Sequence, residues 1–363
     1  MDGMRLRFVM VSVLAPLLVI AVAIVGARWV GDEVAADSRS AMTSALDSLP
    51  ADTQVAGFTD WSRVRQALRL GGSKSASARA ALTDDASLRD LSTRSVIGQH
   101  TEEMHDAYGW SVADLDWEAY GQAKDGSVMV GKLDDSVSFA SVRAHLGKLG
   151  YADDDGVWTI DADNNSTVNP ELASTLAAVT LVPSLRLVVA ADRAPYASAV
   201  LETIHRDAPS LLSVRAAADV ADTLAGADSV LLQTGSFTCQ SASLDDAGAD
   251  VKAQARAAID RAGELVEPTY AGRALDAGSR TSETMRFAFG FRSPSVAARQ
   301  LQVRRALASG PFIGRSGQLE ESLVLRLSAV RGSAAVLRFS HDPDSTAYMG
   351  ADGPLLFAGC PLP

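Results

Sequence analysis

From Phe8 to Ala27 the chain runs for twenty residues without a single charge, FVMVSVLAPLLVIAVAIVGA. A helix rises about 1.5 Å per residue, so a run of that length reaches about 30 Å, the hydrocarbon thickness of a bilayer. Pro16 falls inside it, which a membrane helix tolerates although one backbone carbonyl loses its partner. Arg5 and Arg7 precede the run, Arg28 follows it, and Trp29 stands where an interfacial aromatic belongs. Basic residues near the two ends are nearly balanced, so charge favours a cytoplasmic N-terminus only weakly. Because no second apolar run of this length occurs, the expected topology is one span followed by one large extracytoplasmic region.

The rival reading is a secretory signal cleaved after Val25-Gly26-Ala27, a small-residue site behind a basic start. Signal cores usually run about 7–15 apolar residues, and this one is longer, which favours the anchor. The expected organisation is a cytoplasmic N-terminus at 1–7, a transmembrane anchor at 8–30, and a polar, Ala/Ser-rich stalk or linker at 31–50. Two α+β halves then follow at 51–208 and 209–363.

Composition narrows the partners. The formal net charge is −11. Asp2, Arg5 and Arg7 contribute +1 within residues 1–7, so the remainder carries −11 − 1 = −12. That sign excludes nucleic acid and a cationic grip on anionic headgroups, both of which need basic patches. The expected partners are the plasma membrane, through residues 8–27, and an envelope protein or ligand. Lysine occurs only at 74, 124, 132, 148 and 252, and with the richness in Arg, Ala, Asp and Val this points to a bacterial chain of high genomic GC content.

Cys239 and Cys360 are the only cysteines. An even number in an exported chain predicts a disulfide. It would close a loop of about 120 residues, worth roughly 4–5 kcal/mol in the chain-entropy model. Neither cysteine has the spacing or the basic neighbours of a redox-active thiolate.

Element by element, Thr53–Asp60 alternates as a strand and Trp61–Leu68 reads as a helix. Ser111 is placed to cap a helix bearing Val112, Leu115 and Ala119. Ser127–Leu133 reads as a strand, and Phe139, Val142, Leu146 and Leu149 fall at helical spacing before Gly150. Gly156–Ile160 and Leu185–Ala190 are strand-like, and a helix follows from Pro195 to His205. The order then recurs. Leu211–Ala225 reads as a helix and Ser229–Gly235 as a strand. Val251, Ala255, Ala258, Ile259 and Ala262 make a helical stripe. Met285–Phe291 is a strand, Ala297, Leu301 and Ala308 lie in helical register, and Ser322–Val330 with Ala334–Phe339 forms a hairpin. The predicted class is α+β, with two related halves, antiparallel-leaning sheets and helices packed on one face.

Motifs of chemistry are thin. His100 and His105 flank Glu102 and Glu103, but a zinc-binding helix needs histidines four apart. Five apart, the rings diverge by about 140°. Asp161, Asp163 and Asn165 open like a calcium loop, yet Ser166 stands where the turn needs Gly and Leu172 where a bidentate Glu belongs. No G-x-S-x-G elbow, phosphate loop or dinucleotide fingerprint occurs, and Gly310, Gly314 and Gly317 are wrongly spaced for one. No cofactor or metal is expected and no catalytic residue is nominated. The leading expectation is a non-enzymatic envelope protein that binds a partner or ligand. The alternatives are an exported hydrolase with an unrecognised site, or a secreted ligand-binding module if the signal is cleaved.

The apolar run makes the first prediction: the protein sediments with membranes and stays there in high salt. Recovery from the medium with a new N-terminus at Arg28 would show cleavage instead.

Overall fold

The computed structural model describes residues 41–161, 168–240, 244, 247–279, 282–342, 349 and 355–362. The apolar run at 8–27 and the first part of the expected stalk lie outside the described residues. Among the described residues no helix is long and apolar enough to cross a membrane.

The described strands are β1 (Val55–Thr59), β2 (Leu115–Ala123), β3 (Gly126–Leu133), β4 (Ala152–Asp154), β5 (Val157–Thr159) and β6 (Ala178–Val182), then β7 (Leu187–Ala191), β8 (Ser229–Thr234), β9 (Tyr270–Ser279), β10 (Ser282–Gly290), β11 (Leu323–Arg331) and β12 (Ala334–His341). They form one 12-stranded sheet in the order β11-β12-β10-β9-β8-β1-β2-β3-β7-β6-β5-β4. Every neighbouring pair is antiparallel. The helices are α1 (41–47), α2 (Trp61–Ala67), α3 (Ala76–Leu88), the single turns α4 (Thr101–Glu103) and α9 (Phe237–Gln240), α5 (Phe139–Lys148), α6 (Pro170–Thr175), α7 (Ala194–His205), α8 (Arg215–Leu224), α10 (Ala249–Ala262) and α11 (Pro294–Leu307).

Strand order repeats about the middle of the sheet. β1-β2-β3-β7-β6 runs outward on one side and β8-β9-β10-β12-β11 on the other, with α1 ahead of β1 as α8 is ahead of β8. The seam is the β1–β8 pair, in which Ala56 faces Leu232 and Phe58 faces Val230. Gly121 lies opposite Ala56, and Gly272 lies opposite Leu232. Both glycines make room for the helix above. A Cβ at Gly121 would sit 3.0 Å from Leu49 Cδ2, and one at Gly272 only 2.5 Å from Leu224 Cδ1. A local two-fold axis through the seam and normal to the sheet therefore relates these positions.

Helices cover both faces of the sheet, which corrects the expectation of a single covered face. One face carries α2, α3, α5, α6, α10 and α11, around Met129, Val188, Leu231 and Phe287. The opposite face carries α1, α7 and α8, around Phe58, Val130, Val189 and Val230. The physical signal is the continuous apolar run: β7 (LVVAA) is buried at every position, and β8 (SVLLQT) at all but its last. Strands buried on both sides read as unbroken hydrophobic stretches, whereas a one-faced sheet alternates.

Two further expectations are corrected. Residues 41–50 belong to the fold and not to a stalk, because Met42, Ala45, Leu46 and Leu49 are buried against the sheet. The helix expected after Ser111 is only a 3₁₀ turn, Val112–Asp114, closed by a capping box between Ser111 and Asp114. The chain then enters β2, which carries Leu115 and Ala119 as strand residues.

On α5, Val142 and Leu146 are fully buried, Leu149 just past its end is buried, and Arg143 and Lys148 point to solvent. Leu146→Ala should therefore cost about 2–5 kcal/mol, as large-to-small changes in packed cores do. Replacing Lys148 should cost no more than about 0.5 kcal/mol. Urea denaturation of the two variants checks this, and equal costs would exclude a packed α5.

Candidate functional site

Buried carboxylates are the most conspicuous polar feature of the interior, and each is engaged by the fold. Glu118 on β2 is buried and accepts from Trp61 Nε1 at 3.0 Å, Ser95 Oγ at 2.6 Å and Val96 N at 2.8 Å. Burial pushes its carboxyl above the usual range, and these donors act against that shift. They fasten the connection after α3 to the middle of the sheet. At the end of β1, Asp60 caps α2 by accepting from Arg63 N at 3.0 Å. Beside it Asp228 accepts from Arg63 Nε at 2.5 Å and Ala277 N at 2.6 Å. Glu283, also buried, accepts from Arg89 Nε at 2.9 Å and lies 3.0 Å from His341 Nδ1. Carboxylates held this way position backbone segments.

Of the residues singled out in the sequence, His100 and Glu103 come together but belong to no metal-holding cluster among the described residues. His100 ends a 3₁₀ turn with Nδ1 3.5 Å from Glu103 and Nε2 3.4 Å from Glu171. His105 follows within a π turn, Met104–Tyr108, that closes at left-handed Gly109. Among the described residues no group of three or more His, Cys, Asp or Glu side chains is arranged to hold a metal ion. Of the calcium-like stretch, 162–167 lie outside the described residues. Asp153 just upstream accepts from Gly156 N at 2.9 Å and closes a turn.

Cys239 and Cys360 are bonded, with Cα atoms 5.4 Å apart. Arg304 assists them. It is fully buried on α11, its guanidinium lies 4.1 Å from the Phe289 ring centroid, and Nη1 donates to the Phe357 carbonyl at 2.7 Å and the Gly359 carbonyl at 3.1 Å. Disulfide and guanidinium together pin the C-terminal segment to the face that carries α11.

The structure forms a concave site where no motif marks one. A groove of about 620 Å³ lies on the face of α1 and α7. Trp117 of β2 and Leu187 of β7 line it within the sheet, and Ile204 near the end of α7 and the outer side of α1 line it from the helices. Leu185, 44 % exposed, sits at its rim. Polar groups bound it: Lys132 Nζ donates to the Leu185 carbonyl at 2.7 Å, and Asp47 pairs with Arg206 and accepts from Ser210 Oγ. Trp117, Leu185, Leu187 and Ile204 give the groove an apolar floor, Thr43, Ser44, Asp47 and Ser48 give it a polar wall along and just past α1, and Asp116, Lys132 and Arg206 add charges of both signs at its margin. It begins beside Ala41, where the described chain begins. Sequence reasoning missed it because α1 read as a stalk and Trp117 as part of a helix.

No protein-family model matches the sequence, and no curated protein is detectably similar. Two crystal forms of TP0453 superpose weakly. Form I gives a TM-score of 0.41 at 10 % identity over 86 % of this chain and 98 % of that one. Form III gives 0.38 at 9 % identity over 82 % and 94 %. Likeness at that level carries no argument about function.

Asp60 supplies a pH prediction. Burial, the largest influence, pushes its carboxyl up to about 6 from an ordinary 3.8. The native state therefore holds this proton more tightly than the unfolded chain does. The stabilising contribution is complete below about pH 3.8 and is lost as pH rises through about 6. Asp60→Asn still caps α2 but does not titrate. Its stability relative to the parent should rise by about 2 kcal/mol between pH 4 and pH 7, measured by urea denaturation. A difference independent of pH would contradict the assignment.

Proposed function

We propose that this chain is a non-enzymatic envelope protein, held at the plasma membrane by residues 8–27, whose extracytoplasmic region binds the apolar chain of an envelope amphiphile in the groove beside α1. The groove carries the reading. It is concave, its floor is apolar, its α1 wall is polar, and it adjoins Ala41, to which residues 28–40 lead from the end of the apolar run. Thirteen residues span at most about 45 Å even when fully extended, so an anchored fold keeps the groove near the bilayer surface. Ligand sites of this kind combine an apolar lining with a few polar groups that set orientation. Lys132, Arg206, Asp47 and Asp116 supply both signs at the margin, which suits a zwitterionic or neutral polar head better than a strongly charged one. The Cys239–Cys360 bond supports an oxidising compartment, and the saturated hydrogen bonding of Glu118 and Asp228 supports a binding role over catalysis. The recurring strand order supports reading 51–208 and 209–363 as two related α+β halves sharing one sheet.

A fluorescent long-chain alkyl probe tests the proposal. The parent protein should bind it saturably. Leu185→Glu, which places a charge at the exposed rim, should weaken binding at least tenfold without lowering the melting temperature, and Ile204→Glu should weaken it as much at some cost in stability, because Ile204 also packs against the core. Unchanged affinity in both variants would place the ligand elsewhere or remove it.

A further inference from the structure

β11 is the last strand at its end of the sheet, and its register against β12 shifts between Leu325 and Leu327. In a regular strand, residues two apart share a face. Here they do not. Leu325 lies opposite Phe339 and packs into the layer of α10 and α11, whereas Leu327 lies opposite Arg338 and opens on the other face. A bulge re-aims side chains in this way, and with Arg326 as the extra residue it also unfits the edge for a further strand. On the face that carries α8, Leu327, Ala329 and Val336 line a groove of about 400 Å³, a size usual for small-ligand sites. Across the local two-fold axis α7 covers β7, β3 and β6, and among the described residues no helix takes its place here. Leu327 is accordingly 50 % exposed.

The charges of this groove are unmatched. Arg338 on β12 lies directly opposite Leu327 on one side and Arg286 of β10 on the other. Like charges placed so are destabilising. Asp276 neutralises Arg286 at 3.2 Å, and the Thr223 and Ala225 carbonyls accept from its Nη1, yet its buried Nε has no acceptor among the described residues. Among the described residues Arg331 and Arg338 have neither an ion-pair nor a hydrogen-bond partner. On the wall formed by α8, Asp222 is likewise unpartnered, and Asp219 accepts from Ser333 Oγ at 2.9 Å. Cations on the strands and carboxylates on the helix thus line one groove without meeting. An arrangement that breaks a local rule and finds no compensation within the chain is expected at functional sites.

We propose that this groove binds a short apolar peptide, two or three residues long, by its free termini. The C-terminal carboxylate suits Arg338, whose planar guanidinium takes a carboxylate through paired hydrogen bonds. The N-terminal ammonium suits Asp222, and an apolar side chain covers Leu327 and Val336. Other ligand classes fit less well. A simple anion would meet the arginines and leave Asp219 and Asp222 facing it. An uncharged apolar molecule would desolvate charges of both signs and pair neither, which is costly. A ligand that carries both charges meets both walls.

Calorimetric titration of the full chain in detergent with leucyl-leucine tests this. The dipeptide should bind saturably, and N-acetylation or C-terminal amidation should each weaken it at least tenfold. Arg338→Gln and Asp222→Asn, both at exposed positions, should each weaken it at least tenfold with an unchanged melting temperature. Amidation should cost nothing further in Arg338→Gln, and acetylation nothing further in Asp222→Asn, which assigns each terminus to its partner. Leu185→Glu, in the α1 groove, should leave dipeptide binding unchanged. Absence of saturable binding at millimolar concentration, or blocked peptides binding as tightly as the free one, would overturn the proposal. So would an affinity indifferent to both substitutions, or one lost in Leu185→Glu, which would place the peptide in the α1 groove. The alkyl probe and the dipeptide are read by different variants, so the two proposals fail separately.

Discussion

The antiparallel pair β1–β8 is the interaction on which the rest of the fold depends. It joins two runs of strands, far apart in sequence, that otherwise have no strand in common. Its residues are buried on both sides: Phe58 and Val230 lie under α1, α7 and α8, and Leu231 lies under the opposite layer. A sheet seam of this kind cannot be left open to water, because its apolar faces and its unpaired backbone groups would both be exposed. Every helix is therefore needed as cover, and the glycines at 121 and 272 set how closely that cover can settle.

Buried charge follows from the same constraint. With both faces sealed, the connections that cross the sheet near its middle must satisfy their backbone groups inside the protein. Glu118 and Asp228 accept backbone N–H groups of Val96 and Ala277, and Arg304 donates to the carbonyls of Phe357 and Gly359. An unpaired buried polar group costs about 1–3 kcal/mol, so these charges stabilise the backbone of the connection after α3, the end of β9 and the C-terminal segment. The Cys239–Cys360 bond does the same for the C-terminal segment by covalent means.

Periodicity made much of this legible and some of it not. The α5 stripe, the α10 stripe, the β11–β12 hairpin and the cysteine pair could be read because each signal is local. β2 was hidden, since Val112, Leu115 and Ala119 behind a good capping serine satisfy a helical spacing as well as a strand. β9, YAGRALDAGS, is poor in β-branched residues because Gly272 and Ala274 lie under α8, where small side chains are required. The second helical layer was foreshadowed only by unbroken apolar runs such as LVVAA. The groove had no local signal. Residues 41–47, Trp117, Leu187 and Ile204 meet only when the sheet is assembled.

The central claim is that β1 and β8 make one cooperative structure of the two runs of strands. Native-state hydrogen exchange tests it most directly, because it resolves local from global opening. The amides of β1 and β8, Gly57 and Leu231 among them, should exchange only through global unfolding, with the free energy found by denaturant titration. Exchange of the whole β8–β12 run at a markedly lower free energy than β1–β7 would mean that the seam opens on its own, and would contradict the account.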